Sequence, residues 1–273
     1  MLISKNKIAM VIIILILILL SALVLLKKPS HERDWELGQE KLAQIEIKDS
    51  RVVINNFRDF TWRKEGVAEI NYSQENFNLD KIQGVDVAIS HFAEFEGMAH
   101  AFIVFRFSDN RNVAVSVETR REKGEKFSPW LGLFREFEII YVVGSEKDML
   151  GLRTDIRQER VYLYPTVADS KAAKMLFFAI ARDINNIYSE PTFYNTLFNN
   201  CTNAITKRVA EVFEIKFPIT YKTLFPGFMD EILYQMKLIP TDKSFLELKN
   251  YYQIDNNKVD SRSDDYWRQL RTH

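Results

Sequence analysis

One cysteine, nine glycines and no surplus of either charge exclude more about this protein than its 273-residue length does. A single cysteine closes no intrachain disulfide, so a disulfide-stapled fold is excluded, as is a structural zinc site built on several thiolates. Four histidines are present, and the two nearest, His91 and His100, lie nine residues apart with no paired-ligand spacing around them. No metal is expected. None of the glycines falls in a phosphate-binding loop pattern, and Gly-x-Ser-x-Gly is missing, so no nucleotide or other cofactor is expected either. Basic and acidic side chains number 37 each, which leaves no basic field for a nucleic-acid partner. What the chain does hold is a hydrophobic fraction of 47% and 13% aromatics, ordinary for a globular protein with a sizeable core.

The apolar residues are unevenly spread. Ile8 to Leu26 is a run of 19 residues in which only Ser21 is polar, flanked by Lys5, Lys7, Lys27 and Lys28. At about 1.5 Å per residue such a helix just spans a hydrocarbon layer of roughly 30 Å. The run is too long for a signal-peptide core, no small-x-small cleavage site follows it, and no cysteine directly after it offers a lipidation point. Residues 1–30 are therefore expected to be an uncleaved transmembrane signal anchor. Lysines on both sides leave the orientation open by charge alone. The remainder carries 33 basic and 37 acidic residues and has no broad basic face toward anionic lipid.

After the anchor, residues 31–50 read as a polar, partly helical stalk. A main domain is expected over residues 51–215 and a helical, aromatic C-terminal extension packed on it over residues 216–273. Residues 81–95 give a mixed strand or helix signal. The clearest hairpin runs from Ala101 to Thr119: a Phe-Ile-Val-Phe run, a turn cluster at Ser108–Asn112, then Val113, Val115 and Val117 alternating with Ala114, Ser116 and Glu118. Further strands are expected at Phe137–Val143 and Val161–Tyr164. Helical spacing follows over Ser170–Ile187 and Cys201–Phe213. The fold class is α+β, an antiparallel sheet followed by helices.

Three residues carry the chemistry that this chain can offer. Cys201 follows Asn199-Asn200, good N-cap residues, which places it in the first turn of a helix. The partial positive charge and free N–H groups there favour a thiolate and suit an oxyanion. A small buried apolar cysteine is the alternative. His100 sits at the mouth of the best strand. If Phe107 pairs with Val113, then Glu118 is its diagonal neighbour on the same face and can fix the imidazole tautomer. The alternative for Glu118 is an ion pair with Arg120 or Arg121. His91 lacks a carboxylate at useful spacing and reads as structural. Two apolar loops, Phe127–Phe134 and Leu224–Phe228, suit either a lipid interface or core packing.

An ordered set of segments is similar to the Lnb N-terminal periplasmic domain family of bacterial envelope proteins. These are Asn56-Phe57-Arg58-Asp59-Phe60, Met98-Ala99-His100-Ala101-Phe102, Ser116–Glu122, Glu138–Val142, Asp148 with Arg153, Tyr162-Leu163-Tyr164-Pro165 and Asn200-Cys201-Thr202. The resemblance covers roughly residues 50–215. It implies a permuted papain-like thiol fold of the NlpC type, with the His strand before the Cys helix, as in lecithin–retinol acyltransferase-type enzymes. By the same resemblance Cys201 is the nucleophile, His100 the base and Glu118 the orienting group. The expected activity is acyl transfer through a Cys thioester, from membrane lipid to an amine such as a lipoprotein N-terminus, on the periplasmic side of the inner membrane. Two alternatives stay open: a cysteine peptidase or amidase acting on cell-wall peptide, and an anchored binding module without catalysis.

Overall fold

The computed structural model describes residues 5–63 and 66–272. Helix α1, Lys5–Leu26, opens the chain. Among the described residues no helix is long and apolar enough to cross a membrane. The expected span falls partly outside those residues: residues 1–4 and the side chains of 5, 8, 9 and 20 are not described. The unbroken described apolar run is Met10–Leu19, ten residues, against the about 20 that a bilayer needs.

Ten strands follow: β1 Gln44–Lys48, β2 Arg51–Arg58, β3 Thr61–Arg63, β4 Gly66–Glu69, β5 Tyr72–Asn78, β6 Ile82–His91, β7 Ala99–Phe107, β8 Val113–Arg120, β9 Glu138–Ser145 and β10 Arg160–Pro165. The helices after α1 are α2 Glu146–Gly151, α3 Ser170–Ser189, α4 Cys201–Phe213, α5 Met229–Gln235, α6 Phe245–Tyr252 and α7 Tyr266–Gln269. The main sheet runs β1-β2-β9-β8-β7-β6-β10, with β5 also on β2, and β3 and β4 form a separate pair. The architecture is mixed α+β. The sheet is antiparallel, as expected, except at one point where Arg58 of β2 meets Gly144 of β9 in parallel. A Cβ on Gly144 would lie 2.4 Å from the Arg58 carbonyl oxygen, so this crossing of two backbones needs glycine.

Two differences from the sequence reading concern local pattern. Residues 31–50 are not a helical stalk. Trp35 bridges to Glu122, and Gln-Ile-Glu-Ile-Lys at 44–48 is an edge strand on β2. The alternation of Ile45 and Ile47 with charged Glu46 is a strand period, not a helical one. The 81–95 segment resolves as strand β6, because paired neighbours on both sides take up its backbone groups.

Helices cover both faces of the sheet. On one face Ile103, Phe105, Val113, Val115 and Val117 pack against α3 and α4. On the other, Phe102, Val104, Ala114 and Ile140 meet Met149 and Leu150 of α2 and Tyr266 and Leu270 at the C-terminal end. A third cluster joins Ala99, Ala101, Tyr162 and Tyr164 to α5 and α6, so the C-terminal extension is built onto the sheet. Arg271, two residues before the end of the chain, is pinned by Asp86 and Glu146.

Candidate active site

The β7–β8 hairpin sets the site. Observed pairing puts Phe105 opposite Val113 and Ile103 opposite Val115, a slip of two residues from the assumed register. An even slip keeps every side chain on its expected face. Continued along the strands, the same register sets Glu118 opposite His100 instead of diagonal to it. No β7–β8 pair is formed beyond Ile103. The two strands part there, and His100 lies where they open.

His100 and Glu118 are joined through a residue that the sequence reading did not single out. Ser116 Oγ is 2.6 Å from His100 Nε2 and 2.9 Å from Glu118 Oε1; the imidazole and carboxylate are 3.8 Å apart. A carboxylate only accepts, so the single hydroxyl proton of Ser116 goes to Glu118, and Ser116 Oγ must in turn accept from His100 Nε2–H. This assigns the tautomer by hydrogen-bond logic and leaves the lone pair on Nδ1. Ser116 shares a strand face with Glu118, as alternation along β8 requires, and that alternation was the signal that could have found it.

Glu118 does not pair with Arg120 or Arg121. Arg120 reaches the carbonyls of Gln39 and Glu40 and lies over the Trp35 ring, and Arg121 turns to the Glu125 carbonyl. The cation beside Glu118 is Arg153, at 3.7 Å, whose guanidinium also covers Phe102 at 4.7 Å. Arg153 belongs to a short π-helical stretch, Leu152–Ile156, that continues α2. Such bulges redirect side chains. Beneath it, buried Asp148 accepts from Arg58 Nε and Nη2, from the Phe60 N–H and from Trp62 Nε1, at 2.8–3.0 Å. Asp148 and Arg58 thus lock α2 to β2 and hold the frame on which Arg153 stands.

The electrostatics favour a neutral imidazole beside an ionised carboxylate. Burial and the Arg153 charge hold His100 well below its ordinary value, with Glu118 pulling the other way. Burial alone would raise Glu118, but His100, Arg153, Arg58 and the Ser116 hydroxyl together bring it below the usual carboxylate range.

Cys201 begins α4. Asn200 caps the helix by accepting from the Asn203 N–H at 2.8 Å, and its own amide donates to the Thr196 carbonyl. Asn195 and Asn199 shape the approaching loop by further side-chain to backbone bonds. The asparagine-rich spelling therefore builds the helix start. Burial raises the Cys201 thiol. The Thr202 hydroxyl, 3.9 Å away, and the backbone N–H groups of Thr202, Ala101 and Cys201 itself pull it back down. Ala101 directly follows His100, but neighbouring side chains on a strand point to opposite faces: Cys201 packs on the α3–α4 side of the sheet, while the His100 ring stacks with Phe102, near Arg153, on the other. The hydrogen-bond partner of Nε2 is Ser116 and that of the sulfur is Thr202; between the thiol and the imidazole no hydrogen bond is formed. A cavity of about 60 Å³ opens between α4 and the sheet, bounded by Ala101, Ile103, Thr202, Ile205, Leu176 and Val209 among others; its walls are almost wholly hydrocarbon, and it reaches Thr202 but not Cys201.

The other sequence candidates separate. His91 is buried, edge-on to Tyr162, with neither ring nitrogen hydrogen-bonded; Glu96 Oε1 stands 4.0 Å from its Nε2, a carboxylate that sequence spacing did not place there. In the loop Leu224–Phe228, Phe225 and Phe228 are half-buried against Phe95, while Leu224 stays 48% exposed. The loop Phe127–Phe134 leaves Trp130 at 76% exposure. Among the described residues no group of three or more His, Cys, Asp or Glu side chains could hold a metal ion.

A thiol at a capped helix start and a histidine–carboxylate pair at the mouth of an opened hairpin stand on one mixed α+β frame. Residues 68–227, more than half of the chain, match the Lnb N-terminal periplasmic domain, and the chain belongs to that family. The family is periplasmic, which assigns this domain to the cell envelope. No curated protein and no solved structure matches the chain.

Proposed function

We propose that this protein is a membrane-anchored thiol acyltransferase, with α1 as its single-pass inner-membrane anchor and a permuted papain-like arrangement of His100 before Cys201. The observation that carries the reading is the packing of α4, with Cys201 in its first turn, directly on β7, the strand of His100. The apolar cavity between α4 and β7, which begins at Thr202, next in chain to Cys201, favours an acyl chain over a peptide.

The chemistry balances with this chain's own groups. His100 Nδ1 takes the proton of the Cys201 thiol as sulfur attacks the ester carbonyl of a lipid. The backbone N–H groups at the start of α4 hold the oxyanion. The intermediate collapses, the C–O bond breaks, and the leaving alcohol takes the proton from His100. The thioester is then attacked by an amine, such as a lipoprotein N-terminus, which passes its proton to His100, and Cys201 leaves as the thiol again. A neutral imidazole and a raised thiol describe a resting pair without charge, so His100 works as a general base on a protonated thiol. The two side chains start on opposite faces of the sheet, so the reaction requires the imidazole to turn toward the sulfur where β7 and β8 have parted.

A second reading, an anchored binding module, is favoured by the missing thiol–imidazole hydrogen bond. Full-length protein in phospholipid vesicles, given phospholipid labelled in its acyl chains, separates the readings. The acyltransferase forms a labelled adduct on the Cys201 peptide by mass spectrometry. Adduct formed instead from labelled wall peptide makes the protein an amidase. No adduct, with Cys201 no faster than free cysteine toward a thiol probe at pH 6, makes it a binding module.

A further inference from the structure

Five exposed apolar side chains of the domain gather on two adjoining loops. Trp130, Leu131 and Phe134 are 76%, 46% and 53% exposed, and Leu197 and Phe198 are 42% and 83% exposed. The two loops that carry them are joined. Thr196 donates its hydroxyl to the Pro129 carbonyl at 2.7 Å and its N–H to the Gly132 carbonyl at 3.3 Å. A Cβ on Gly132 would sit 2.5 Å from Thr196 Oγ1, so the close approach needs glycine. Phe127 plugs the base of the first loop against Phe137 and Tyr194. The outward display of the remaining aromatics is thus held by ring contacts at the base, where Phe127 stays 40% exposed.

The position of this surface tells what covers it. The residues just after Phe134 clasp the end of α1: Arg135 Nη1 donates to the Leu25 carbonyl at 3.0 Å, and Glu136 pairs with Lys27 at 2.5 Å. Within α1 every side chain from Met10 to Leu19 is 46–60% exposed, with no protein packed over it. The loop surface therefore lies beside the end of an unpartnered apolar helix. Lysines and arginines stand at that junction, and a tryptophan and phenylalanines on the patch, the composition of a membrane–water interface. The second loop ends three residues before Cys201.

Resting on the reading of α1 as an anchor, we propose that Trp130, Leu131, Phe134, Leu197 and Phe198 form a membrane-interface patch that enters the same bilayer as α1 and holds the start of α4, with Cys201, at the lipid surface. The clasp at Arg135 and Glu136 fixes the tilt of the domain on its anchor, so the site meets lipid where it lies in the leaflet.

Full-length protein reconstituted into phosphatidylethanolamine–phosphatidylglycerol vesicles tests this, with and without phosphatidylcholine brominated on its upper acyl carbons. Flotation reports the anchor and bromolipid quenching of tryptophan reports the patch. The other tryptophans serve as the internal background, since Trp35, Trp62 and Trp267 are all less exposed than Trp130. The expected result is flotation with quenching, most of which disappears in Trp130→Phe. Phe198→Ser should make Trp130 more accessible to aqueous iodide. Flotation with the same quenching in wild type and Trp130→Phe overturns the patch and leaves the anchor standing. Protein that stays at the bottom of the gradient overturns the anchor, and the patch with it.

Discussion

The two sides of the candidate site differ in kind. Around His100 the chain has placed Ser116, Glu118 and Arg153, with Asp148 and Arg58 behind them, a buried polar network. Around Cys201 it has placed hydrocarbon, one threonine hydroxyl and backbone N–H groups. A polar network fixes the orientation and tautomer of the base and sets its proton affinity. A dry thiol side strengthens every dipole aimed at the sulfur while withholding a counter-ion. On the proposed reading the base is tuned by charges and the nucleophile by geometry, so substitutions on the two sides should fail in different ways.

The largest effects fall on the reacting pair. Cys201→Ala should abolish the acyl adduct altogether. His100→Ala should slow adduct formation by about 10²–10⁴-fold, the usual contribution of a positioned base. Near-ultraviolet circular dichroism should show both folded. Adduct at the wild-type rate in either variant would end the thiol-enzyme reading.

Next comes the frame of the polar side. Asp148→Ala leaves the Arg58 guanidinium buried without its partner, and breaking such a pair costs about 3–5 kcal/mol. A urea midpoint unchanged from wild type would show that this pair contributes no net stability.

The pH dependence sharpens the contrast. Activity should hold from neutral pH downward until His100 protonates, well below its ordinary value of 6.5. Arg153→Met removes a charge that depresses His100, so its acid limb should move to higher pH. Glu118→Gln removes one that supports the imidazolium, and its limb should move lower. Limbs that move together, or not at all, would show that these charges do not tune the base. Stability carries the same sign for both groups. Each is held below its unfolded value, so the contribution of each is complete above that value and is lost as pH falls, from 6.5 toward about 4 for His100 and from 4.5 toward about 2 for Glu118. Acid titration by circular dichroism should therefore show destabilisation that Glu118→Gln reduces.

The smallest effect is expected at Ser116. A net hydrogen bond contributes about 0.5–1.5 kcal/mol, so Ser116→Ala should slow the reaction by roughly 2- to 10-fold, while Ser116→Thr, which keeps the hydroxyl, should recover most of it. Equal losses in both variants would assign Ser116 to packing alone.

Much of this site could be read along the chain because its parts are encoded locally. Asn200 before Cys201 announces a helix cap, and alternation along β8 puts Ser116 and Glu118 on one face whichever even register is chosen. The edge strand at 44–48 was hidden by its charged residues, since an edge needs apolar positions on one face only. The inward packing of Phe225 and Phe228, against the outward display of Trp130 and Phe198, has no local signal at all. Both loops are equally rich in aromatics, and only the segments facing them differ.

Short-range pattern was thus enough for the α+β class, the helix start at Cys201 and the shared face of His100 and Glu118, because caps and two- or 3.6-residue periods are properties of neighbouring residues. The two-residue register slip, the Ser116 bridge, the partnership of Glu118 with Arg153 instead of Arg120, and the closeness of the sulfur to Ala101 were decided in three dimensions. Each depends on where strands part and which distant segment fills the gap, a contest among packing alternatives that only the assembled core resolves.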